Sequence, residues 1–156
     1  MERAVTFDEF FVEARPRLIN AIRFTVGDGD LAVDVVDEAM TRAYDRWRDV
    51  AAMANPSGWV YRVALNLARN RFRRLRLERR RPQPAHLVHD DVVADPGLAR
   101  ALGQLPADQR SVLVLRFYLD WSVDEVATAL GLAPGTVKSR VHRGLRRLES
   151  MLEERP

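Results

Sequence analysis

The sequence predicts an all-α fold: two small helical domains joined by a flexible linker, the C-terminal one a helix-turn-helix. Three observations carry this expectation. Apolar residues recur at three- and four-residue steps in successive stretches, each opened by a residue suited to cap a helix. Residues 82–97 hold three prolines, an acidic group and few large apolar side chains, the composition of a linker. Residues 122–148 read as helix, tight glycine turn and second helix. The expected units are therefore 1–81, a linker over 82–97, and 98–156.

Thr6-x-x-Glu9 has the spacing of a capping box, which satisfies free N–H groups at a helix start. Phe7, Phe10, Phe11, Ala14, Leu18 and Ile22 follow at helical spacing, and the phenylalanines are expected in the core. Pro16 lacks an N–H and predicts a kink or break. Gly27-Asp28-Gly29-Asp30 predicts a turn, with Asp30 as the next N-cap. The helix after it places Leu31, Val35, Val36, Ala39, Ala43 and Trp47 on an apolar side. Asp34, Asp37, Glu38, Thr41 and Arg42 fall on or near the other side, where an ordinary solvated acidic face would look the same.

Residues 48–54 are expected as a loop. Asn55 then caps a third helix with Pro56 at its first position. Val60, Val63, Ala64, Leu67 and Phe72 can face inward. Trp59, Arg62, Asn66, Arg69 and Arg73 share one outward stripe. An aromatic ring beside guanidinium groups suits single-stranded nucleic acid, because a base stacks on the ring while the cations hold phosphate. Partial burial of Trp59 fits the same spacing. Arg71, Arg73, Arg74, Arg76, Arg79, Arg80 and Arg81 are too dense for a merely solvated face, and some should meet phosphate.

Beyond the linker, Leu98, Leu102 and Leu105 precede Pro106, and residues 107–121 form a strongly apolar helix. Its Val112, Leu113, Leu115 and Phe117 should pack under the helix-turn-helix. Ser122 and Glu125 make a second capping box, Gly131 sits where a left-handed residue ends a helix, and Pro134 opens the next one. In that last helix Val137, Val141, Leu145 and Leu148 are expected as the buried stripe. Thr136, Lys138, Ser139, His142, Arg143 and Arg146 lie on the opposite, outer side, where a recognition helix meets the major groove. Lys138 and Arg140 flank that arc and suit phosphate. A plain helical hairpin with a solvated basic face is the competing reading.

Charge separates the chain into zones. Residues 1–60 carry 7 basic against 11 acidic side chains, and residues 61–81 carry 9 against 1. Residues 82–125 hold 3 against 7, and residues 126–156 hold 6 against 3, giving +3 in total. Two basic zones would meet phosphate, and the acidic ones suit a basic protein partner. Fully extended, the linker spans roughly 53–58 Å, enough to hold two DNA contacts several duplex turns apart.

No apolar run approaches membrane-spanning length, no signal-peptide core is present, and cysteine is absent, which fits a cytosolic protein. His86 and His89 lack a third ligand, so neither a metal site nor a cofactor is expected. The acids lie on separate helices without a catalytic grouping, so no enzymatic activity is expected.

Four strings in order carry a family resemblance: 34–44 (DVVDEAMTRAY), 55–70 (NPSGWVYRVALNLARN), 105–118 (LPADQRSVLVLRFY) and 135–144 (GTVKSRVHRG). With them the chain resembles a bacterial sigma factor of the extracytoplasmic-function (ECF) group, over nearly its whole length. The resemblance implies a cytoplasmic subunit that binds core RNA polymerase and directs it to promoters. It also implies an anti-sigma factor as partner. Residues 1–81 would be region 2, opening the −10 element as a single strand, and 98–156 region 4, reading the −35 duplex. Asp34, Asp37, Glu38 and Arg42 would meet polymerase. Trp59, Arg62, Asn66, Arg69 and Arg73 would handle the −10 strand, with a flipped base held by residues 48–54. Asp37 departs from a usual Gln, Asn70 from an acid, and Ala133 from a capping Ser. A free-standing helix-turn-helix regulator with a ligand-sensing or dimerising N-terminal domain is the alternative.

Overall fold

The computed structural model describes residues 3–78 and 96–154. Among the described residues every regular element is helical. In the N-terminal half α1 (Phe7–Val26), α2 (Gly29–Asp45), the short α3 (Trp47–Ala51) and α4 (Pro56–Glu78) pack together. In the C-terminal half α5 (Pro96–Gln104), α6 (Ala107–Leu113) with a π-helical continuation Val114–Tyr118, α7 (Val123–Leu130) and α8 (Pro134–Glu153) do the same. Pro96 and Gly97, expected in the linker, open α5. His86 and His89 lie outside the described residues.

The helix starts follow local chemistry. Thr6 and Ser122 both form complete capping boxes, and Asn55 accepts from Gly58 N at 3.1 Å. Gly131 ends α7 at φ 67°, where a Cβ would be strained. Replacing Ser122 with Ala removes the acceptor for Glu125 N and should lower stability by about 1 kcal/mol. A melting temperature within error of wild type would show that water replaces the cap.

Several expectations change. α1 runs through Pro16 without a break. That proline is exposed, and Val12, whose carbonyl loses its helical donor, is 75% exposed, so water can take the place of the missing N–H. Asp28, not Asp30, caps α2, accepting from Leu31 N at 2.9 Å. Residues 47–51 are helical rather than loop, and Trp47 belongs to this turn, its ring edge-on to Phe7 and tilted against Phe10. Phe117 is 57% exposed; the widened π turn carries it outward beside Arg116, while Val112, Leu113 and Leu115 are buried.

The two halves share one core. Ile22 and Phe24 of α1, Tyr61 of α4, Leu115, Trp121 and Val126 belong to a single buried cluster. The Tyr61 and Trp121 rings meet edge to face at 6.0 Å, and Phe24 meets Tyr118 at 5.4 Å. The Tyr61 hydroxyl and Thr25 Oγ1 lie 3.0 Å apart, and Thr25 donates to Ala21 O. Burial pushes the Tyr61 pKa up to about 12.

Candidate functional site

Two outward faces carry the chemistry expected of the chain, and α4 holds the first. Val60, Ala64, Leu65 and Ala68 sink into the core, which turns Arg62, Asn66, Arg69 and Arg73 outward on one line, all exposed. Trp59, at the head of this line, is half-buried against the core. The side chain is thus braced by the core while part of it stays accessible. Arg71 does not join the stripe; it donates to Glu38 at 2.7 Å. Arg74 is exposed, the Arg76 side chain is not among those described, and Arg79, Arg80 and Arg81 lie outside the described residues.

The acidic side of α2 is partly engaged from within. Arg15 of α1 grips Asp37 through two donors at 2.6 and 3.0 Å, and this bond raises the arginine pKa. Glu38 bridges Arg42, one turn on, and Arg71 of α4. Asp34 is exposed. The structure therefore separates the group: Asp37 and Glu38 tie α2 to its neighbours, and Asp34 is presented to solvent. Arg15 was not foreseen, since nothing in its local pattern marks the residue it meets 22 positions later.

The second face belongs to α8. Val137 and Gly144 are buried and Val141 half-buried, but Leu145 is 41% exposed. The inward stripe therefore runs through 137, 141, 144 and 148 rather than through 145, which lies about 80° round from Val137. Gly144 causes the shift: a Cβ there would stand 3.0 Å from Leu113 Cδ1, so its absence lets α8 settle against α6. Lys138, Ser139, His142, Arg143 and Arg146 remain exposed, with Thr136 half-buried. Arg143 bends back to Ser139 Oγ at 3.3 Å. Arg140, expected at phosphate, instead lies 3.6 Å from Asp108.

Between the halves lies a groove of about 410 Å³ lined by Trp47, Ala51, Met53, Ser57, Leu119 and Trp121 among others. It adjoins the segment expected to hold a flipped base. No described helix is long and apolar enough to cross a membrane.

Comparison with known proteins gives this arrangement a family. The Sigma-70 region 2 model matches residues 10–78 and the Sigma-70, region 4 model matches residues 97–148. An RNA polymerase sigma-E factor of Streptomyces avermitilis is 34% identical, covering 96% of this chain and 86% of the relative. The ECF RNA polymerase sigma factor SigL of Mycobacterium tuberculosis is 35% identical, covering 86% and 81%. In fold, the chain is similar to the sigma factor RpoE of Bartonella quintana, solved in complex with the anti-sigma factor NepR. That match has a TM-score of 0.78 at 24% identity, over 96% of this chain and 98% of that one. CnrH, solved with the cytosolic domain of CnrY, gives 0.67 at 25% identity, over 96% and 89%. These matches set aside a free-standing regulator, and the chain belongs to the ECF group of sigma-70-family RNA polymerase sigma factors.

Proposed function

We propose that this sigma factor divides promoter recognition between its two outward faces. Residues 1–81 act as region 2: the acidic side of α2 docks on a basic surface of core RNA polymerase, led by Asp34, with Asp37, Glu38 and Arg42 around it. The α4 stripe takes the −10 strand. Trp59 offers a face on which an unstacked base can lie, and Arg62, Asn66, Arg69 and Arg73 hold the backbone. Residues 98–156 act as region 4, with Thr136, Lys138, Ser139, His142, Arg143 and Arg146 of α8 entering the −35 major groove. The protein works in the cytoplasm, does no chemistry of its own, and is held by an anti-sigma factor when not needed. The observation that carries the reading is the α4 line: four polar or basic side chains exposed in register while the opposite side of the helix lies in the core.

A −35 library transcribed at two salt concentrations tests the division. Arg143 and Ser139 lie near the centre of the outer arc, and Lys138 lies toward its edge. Arg143→Ala should change which −35 bases are preferred, at roughly 1–3 kcal/mol for a lost base contact. Lys138→Ala should weaken all promoters alike and lower the salt slope by about one unit. The reverse outcome would mean that α8 enters the groove at a different rotation.

A further inference from the structure

We propose that Met53 is a reversible oxidation site, and that conversion of its thioether to a sulfoxide by a peroxide weakens the grip of region 2 on the −10 strand. This rests on the assignment of α4 and the segment before it to that strand. The chain has four methionines and no cysteine, so its oxidisable sulfur is thioether sulfur. The described methionines differ in access. Met40 is 1% exposed and Met151 is half-buried on α8, whereas Met53 is 41% exposed. A dissolved oxidant has to reach the sulfur it attacks, so among these three Met53 reacts first.

The surroundings of Met53 give that reaction a consequence. Residues 51–54 read Ala-Ala-Met-Ala, and all four are exposed. Met53 is thus the one side chain longer than a methyl group between Val50, which is 1% exposed, and the Asn55 cap of α4. Its N–H donates to Val50 O at 3.1 Å, which ties an exposed residue to a buried anchor. The side chain lines the groove with Phe10, Trp47 and Ser57, beside the end of α4 that carries Trp59. An unbranched, polarizable thioether packs well against an aromatic ring, and a nucleobase offers one. A sulfoxide is polar and chiral instead, and packing a base over it strips water from its oxygen. In the oxidation the peroxide O–O bond breaks and an S–O bond forms. The sulfur gives up two electrons, and the second peroxide oxygen leaves as water. Methionine sulfoxide reductases return two electrons from thiols and release the added oxygen as water, so the change is reversible.

The test treats the full chain with hydrogen peroxide and quenches it with catalase before core polymerase is added. Peptide mass spectrometry should find sulfoxide at Met53 ahead of Met40 and Met151, with helical circular dichroism and polymerase capture unchanged. At that dose permanganate reactivity of −10 thymines should fall by about fivefold or more, the smallest effect expected for one lost base contact. Methionine sulfoxide reductases with dithiothreitol should restore it. Met53→Leu keeps apolar bulk and lacks the sulfur, so its opening should be the same before and after peroxide. Met53→Gln, polar without any oxidant, should open promoters less well than Met53→Leu. Sulfoxide at Met40 or Met151 ahead of Met53, a loss of polymerase capture, or a Met53→Leu protein that peroxide still inhibits overturns the proposal. So does complete oxidation of Met53 with normal opening. In that event Arg69→Ala separates the causes: a decline in that variant keeps α4 on the −10 strand, and no decline removes that assignment as well.

Discussion

Asp34→Arg should strongly weaken capture of core RNA polymerase while leaving the fold intact. Asp34 is exposed on α2, so reversing it breaks no ion pair recorded in the structure. At a docked interface an arginine facing basic polymerase groups both loses an attraction and adds a repulsion. A loss of about 2 kcal/mol or more, roughly 30-fold in affinity, is expected. Helical circular dichroism and melting temperature should match wild type, and the residual binding should weaken with salt. Asp37→Arg should behave differently. It would set a cation against Arg15, whose two bonds to Asp37 join α1 and α2, so stability and capture should fall together. If Asp34→Arg binds polymerase normally, the acidic side of α2 is a brace for the bundle and not a docking surface.

Trp59→Ala should impair promoter opening. Loss of a stacking surface costs about 1–3 kcal/mol per base, so permanganate reactivity of −10 thymines should fall by roughly 5- to 150-fold in occupancy. Because Trp59 is half-buried against the core, some stability should be lost as well, and the variant needs a companion. Arg69→Ala serves, since Arg69 is exposed: its melting temperature should be unchanged while open complex still declines and salt dependence flattens. A Trp59→Ala protein that is thermally weaker yet opens promoters normally would place this ring in the packing alone.

The local grammar of the fold was legible in the sequence, and its long-range contacts were not. Both capping boxes, the Asn55 cap, the Gly131 stop and the Pro134 start stand where a few adjacent residues dictate them. The α4 stripe was legible for the same reason, since the apolar partners at 60, 64 and 68 define its opposite side. Failures arise where distant residues decide. Leu145 fits the apolar period as well as Val141 does, and only the approach of Leu113 to Gly144 selects the rotation. Arg71 sits in a run of arginines, yet Glu38, 33 positions earlier, claims it. Asp28 and Asp30 are equivalent as caps on paper, and the choice falls on the one whose carboxylate reaches Leu31 N. The contact between halves left no periodic trace at all, because Tyr61, Thr25, Arg110 and Trp121 come from four separate stretches.

The central claim is that this chain confers promoter specificity on core RNA polymerase by using both faces together. Run-off transcription on genomic fragments, with core enzyme alone and with the chain added, measures it most directly. The account predicts transcripts with discrete starts only when the chain is present, lost when either the −10 or the −35 region of the template is scrambled. Starts that survive scrambling of both elements, or a chain that binds its fragments tightly without polymerase and yields no transcript, would contradict it.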